Sequence, residues 1–152
     1  MRLRPAPSLP SVTTLGAVAA VAVLVGSLLP APTAATDGVS VATPLGVGLD
    51  KWVHAASYAV VAGLASAGYV GGRDRWSESK PPRPHAALAL ALTLVAVVVL
   101  VGVFGAVVEA AQSVVPGRTT SGADALANTV GAVVGVVGWW TIRRLRPAAT
   151  RG

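Results

Sequence analysis

From Ala86 to Val108 the chain runs for 23 residues without one charged side chain. Coiled into a helix, a segment of that length rises about 35 Å, more than the roughly 30 Å hydrocarbon core of a bilayer. Three further apolar blocks accompany it, at Val12–Leu29, from about Lys51 to Tyr69, and from about Ala123 to Ile142. These blocks are continuous rather than amphipathic stripes, so lipid, not a packed aqueous core, is the expected solvent. Composition agrees, with 53% apolar and only 12% charged residues, outside the usual range of soluble domains. The expected fold class is all-α: a polytopic, multi-pass protein of the cell membrane with four transmembrane helices. The predicted spans are about 12–29, 51–70, 86–115 and 123–142, between an N-terminal segment 1–11 and a basic tail 143–152.

Basic residues orient these spans. Arg2 and Arg4 precede the first, Arg73, Arg75, Lys80 and Arg83 fill the second connector, and Arg143, Arg144, Arg146 and Arg151 follow the last, which accounts for ten of the 12 lysines and arginines. Cytoplasmic loops carry such an excess, so both termini and the Gly71–His85 connector are expected inside, with Pro30–Leu49 and Pro116–Gly122 outside. The net charge of +6 thus reflects topology. Nucleic-acid binding would want basic and aromatic residues interleaved on a soluble surface, and no nucleic-acid partner is expected. Trp139 and Trp140, followed by Arg143 and Arg144, mark an interface. The first block also shares features with a secretory signal, with Ala31, Ala34 and Ala35 after the apolar run. Its length exceeds the usual signal core, which favours a retained span. Cysteine is absent, excluding disulfides, thiol nucleophiles and iron–sulfur ligation.

Polar residues gather at the ends predicted to face outward. Asp50, His54, Ser57 and Tyr58 form one polar edge at the start of the second span, which Lys51 helps to open. Glu109 and Gln112, three apart, share a face at the end of the third, before a Pro116-Gly117-Arg118 turn. Asp124, Asn128, Gly131 and Gly135 recur at spacings of four, three and four on the last, so a polar patch grades into a glycine face that admits a close neighbour. Ionisable groups at membrane depth are expensive and usually mark a site. The expected ligand-binding set is Asp50, Lys51, His54, Tyr58, Glu109, Gln112, Arg118, Asp124 and Asn128, with Glu109, His54 and Asp124 the candidates if the site is catalytic.

Asp50-Lys51-x-x-His54-x-x-x-Tyr58, Glu109-x-x-Gln112-x-x-x-Pro116-Gly117-Arg118 and Asp124-x-x-x-Asn128-x-x-Gly131-x-x-x-Gly135 together resemble the VanZ-like family of small polytopic membrane proteins, over about residues 45 to 140. The resemblance implies a compact helical membrane domain, one member type of which is associated with resistance to the glycopeptide teicoplanin. It implies no particular reaction. The texture here differs from the family, being rich in Ala and Val and poor in Phe and Leu.

Plainer roles compete for every residue. Asp50 can serve as an N-cap, Lys51 as a snorkelling flank and Tyr58 as packing. His54 can bond within the bundle, Glu109 can pair structurally with Arg118, and Asp124 and Asn128 can cap and glue helices. Two functional classes remain. In one, the cavity binds a lipid headgroup or lipid-linked envelope precursor, with Arg118 or Lys51 holding an anionic group and Gln112 and Asn128 orienting it. In the other, Glu109 or His54 is the base of a membrane-embedded hydrolase or transferase. Binding is the favoured reading. Asp50 and His54 are the only clear paired metal ligands, so neither metal nor cofactor is expected. No Ser-His-Asp order, His-Glu-x-x-His helix or phosphate-cradling loop is present. Four spans are few for a transporter unless a homo-oligomer forms.

Overall fold

The computed structural model describes residues 11–29, 46–77, 85–116 and 121–145, of which 71–77 are described by backbone alone. The N-terminal segment, the connector from 30 to 45, the Gly117–Thr120 stretch with Arg118, and the tail beyond Leu145 lie outside the described residues. Those described form four helices: α1 (Val12–Leu28), α2 (Leu49–Ser77), α3 (Ala86–Gln112) and α4 (Gly122–Leu145). Three of them, α2 over Leu49–Val70, α3 and α4, are long and apolar enough to cross a membrane, whereas α1 is apolar but shorter, at 17 residues. Large apolar side chains stand outward all along α3, among them Leu92, Val99, Leu100, Val103 and Val107. So much contiguous apolar surface is compatible with lipid and not with water.

Helix ends follow local chemistry. The Ser11 Oγ accepts from the Thr14 amide at 3.1 Å and caps α1. Ser121 does the same for α4, accepting from the amides of Ala123 at 3.1 Å and Asp124 at 3.3 Å. At the end of α3 the helix stops three residues earlier than the apolar pattern predicts. The chain tightens into short turns, with Ser113 N–H donating to the Ala110 carbonyl and Val115 N–H to that of Gln112, before Pro116. The α2 helix runs further than expected, through Gly71-Gly72 to Ser77, so part of the connector read as loop is helical. Glycine pairs only weaken a helix and do not oblige it to stop.

The bundle centres on α2 and α4. At Gly131 and Gly135 an added Cβ would run into the carbonyl oxygens of Ala55 and Ala59, so the two backbones touch where the glycine face was expected. The core around this seam combines Tyr58, Val61 and Ala62 of α2, Val97 and Val101 of α3, and Ala132 and Val136 of α4. The α1 helix packs on α2 near Gly16, beside Leu64, and near Thr13, beside Gly68, but buries none of its own residues. Successive helices run antiparallel and α2 and α4 therefore run parallel along their seam, with the end of α1, the start of α2, the end of α3 and the start of α4 at one end.

Candidate functional site

Because Ser121 already caps α4, the Asp124 carboxylate is free to turn inward. It is 8% exposed and meets the Lys51 ammonium of α2 at 3.1 Å. The same ammonium binds Asp50 at 2.7 Å. The Asp50 side chain is more than half exposed, at 58%, and lies at the rim rather than inside. Lys51 is thereby held between two carboxylates.

One turn deeper, His54 connects three helices. Its Nδ1–H donates to the Asn128 Oδ1 of α4 at 2.9 Å, and the same nitrogen lies 3.7 Å from Glu109 Oε1 of α3. Glu109 is 6% exposed and Asn128 1% exposed. Neither oxygen of Glu109 has a hydrogen-bond partner among the described residues, and the same holds for Asn128 Nδ2 and the hydroxyl of Tyr58. Buried polar groups are nearly always paired, and an unpaired carboxylate carries the largest desolvation penalty of any of these. Four such atoms on three neighbouring side chains leave hydrogen-bonding capacity here that the described residues do not meet.

Two residues outside the sequence-based set shape this place. Gly105 lies one turn before Glu109 on α3, and a Cβ there would sit 3.0 Å from the Tyr58 ring and 3.1 Å from Asn128. A larger residue there would push those side chains back from α3 by a few tenths of an ångström, and the four-residue spacing of Gly105 from Glu109 was the available signal. Ser27 of α1 offers its carbonyl oxygen to Gln112 Nε2 at 3.1 Å. Gln112, expected to orient a ligand, is buried and ties α3 to α1 instead. Nothing in a side-chain pattern could announce a backbone acceptor 85 residues away.

A cleft of about 420 Å³ adjoins the cluster, between Ala22, Val23, Gly26 and Ser27 of α1 and Val53, His54, Ser57 and Tyr58 of α2. Its α1 wall is mainly apolar, its α2 wall mainly polar. His54 and Tyr58 belong to both cleft and cluster. Of the nine expected site residues, His54, Tyr58, Glu109, Asp124 and Asn128 come together, Lys51 joins through Asp124, Asp50 and Gln112 stand at the edges, and Arg118 lies outside the described residues.

No family model, curated protein or solved structure matches the chain. The site's own chemistry therefore carries the functional argument.

Proposed function

We propose that the protein is a VanZ-like membrane protein whose four helices all span the cell membrane, with both termini cytoplasmic, and that its polar end binds the headgroup of a lipid or lipid-linked envelope precursor at the outer leaflet. The observation that carries this reading is His54, which lines an apolar-walled cleft on one side and touches a buried, unpartnered carboxylate on the other. A cleft of that character suits an amphipathic ligand, with chain against α1 and polar group against α2.

The ligand's charge follows from the side chains already committed. Lys51 is neutralised by Asp50 and Asp124, while Glu109 still offers two acceptors. An anionic group would face carboxylates, so a headgroup rich in hydroxyl or amine donors fits better than a phosphate. Glu109 would accept from it, and Tyr58 and Asn128 Nδ2 would meet its own acceptors.

A second reading draws on the same 3.7 Å approach of His54 to Glu109: the pair can serve as a general base on a lipid-linked substrate. Lipid mass spectrometry on protein purified in native-membrane nanodiscs separates the two. Wild type is expected to retain a hydroxyl- or amine-bearing polar lipid that Glu109→Gln and His54→Gln, folded by circular dichroism, lose. Identical lipid profiles in all three would defeat the proposal, and a chemically altered lipid appearing only with wild type would establish the catalytic reading. Through the family resemblance, teicoplanin sensitivity of cells expressing these variants gives a cellular readout of the same site.

A further inference from the structure

His54, Glu109 and Asp124 come from α2, α3 and α4, and each offers a ligand atom such that all three atoms lie within 4.8 Å of one another. Metal–ligand bonds of about 2.0–2.2 Å place neighbouring donors roughly 3 Å apart and opposed donors roughly 4 Å apart. Side-chain adjustments on the order of an ångström would close the three around one ion. Glu109 adds an independent observation: it is 94% buried, points at His54, and has no hydrogen bond to either oxygen among the described residues. A divalent cation would remove that deficit at both oxygens.

We propose that His54, Glu109 and Asp124 form a binding site for one divalent transition-metal ion, of the Zn²⁺ or Mn²⁺ class. An imidazole beside two carboxylates favours such an ion over Ca²⁺ or Mg²⁺, which prefer oxygen-only shells. Asn128 Oδ1, 2.9 Å from His54 Nδ1, supplies a fourth donor. Coordination through Nδ1 places the ring proton on Nε2, ending the hydrogen bond that Asn128 now accepts and freeing its oxygen for the metal. The ion takes the Glu109 lone pairs that would otherwise accept from the proposed headgroup, so metal and headgroup compete for that carboxylate, while the Tyr58 hydroxyl and Asn128 Nδ2 are left for another ligand. Lys51 is its competitor, because the ammonium 3.1 Å from Asp124 occupies the charge that the metal needs. This site does not depend on the lipid reading, since the metal alone is the probe.

The test uses the untagged full-length chain in detergent micelles, stripped with chelator and titrated with Zn²⁺ by calorimetry, then with Co²⁺ followed by visible absorption. One ion per chain is expected, with Co²⁺ bands of a mixed nitrogen and oxygen shell. Glu109→Gln and Asp124→Asn should each weaken Zn²⁺ binding by about tenfold or more, the scale seen even for residues that only support ligands. Lys51→Met should tighten it, and His85→Ala should leave it unchanged, since His85 precedes α3 at the opposite end of the bundle. If Glu109→Gln does not fold, Asp124→Asn carries the same decision. Folded wild type without saturable Zn²⁺ uptake, uptake unaltered in the folded carboxylate variants, or uptake lost with His85→Ala would each overturn the proposal.

Discussion

Tyr58 shows how far a single side chain can be read. Its ring is 1% exposed and lies 6.0 Å from that of Phe104, so its bulk is packing, as the plainer sequence reading allowed. Its hydroxyl has no partner among the described residues. Removing an unsatisfied buried hydroxyl is close to neutral, so Tyr58→Phe should change unfolding stability by less than about 1 kcal/mol, or raise it, in a denaturant titration. Binding of the polar ligand should weaken in the same variant. A large loss of stability would mean that the hydroxyl has a structural partner. The membership of Asp124 and Asn128 in one polar patch was legible because a spacing of four puts them on one helix face. Their partners were not legible, because choosing Lys51 for Asp124 and His54 for Asn128 depends on the relative rotation of α2 and α4, which no local pattern encodes. Among the described residues it is His54, 55 positions away, that lies beside Glu109, while Arg118, the nearest cation to Glu109 in sequence, lies outside them.

Between elements, the α2–α4 seam decides the geometry of the site. Gly131 and Gly135 bring the helices to backbone contact, which sets the distance at which His54 meets Asn128, one turn above Gly131. Gly131→Leu should force the helices apart and lower stability by about 2 kcal/mol or more, the usual scale for overpacking a close contact. Gly138→Leu, on the same helix with open space around its Cβ position, should have little effect. Thermal unfolding in micelles compares the two, and equal losses would show that the α2–α4 contact is not what Gly131 serves, since helix propensity alone would favour leucine at both positions. This seam was visible in sequence as small residues at four-residue spacing. Where α2 ends was not, since Gly71-Gly72 and the charges after it look like a loop and the backbone nevertheless stays helical to Ser77.

Across the whole molecule, the asymmetry of basic residues makes a definite topological demand. Cysteines introduced at Gly38 and Thr120 should react with a membrane-impermeant reagent on intact cells, and one at Ser77 should not. Labelling at Ser77 alone would invert the orientation and put the polar cluster in the cytoplasmic leaflet. Four helices in this order were readable from the apolar blocks, and three of them reach the length that a bilayer requires, while α1 is shorter. The role of α1 was not, because nothing in its uniform Ala and Val content distinguishes a wall from a bystander. That wall has a consequence for delivery. The cleft reaches from Ser27 back to Ala22 on α1 and from Val53 on to Tyr58 on α2, more than a turn below the helix ends at its deepest, and Ala22, Gly26 and Val53 along it are exposed. Under the proposed lipid-binding function, a ligand would arrive at His54 by diffusing within the leaflet, never entering water. Its effective concentration is then a mole fraction in two dimensions, and each methylene of its tail, worth about 0.8 kcal/mol when buried, acts by holding it in the plane from which the cleft is filled.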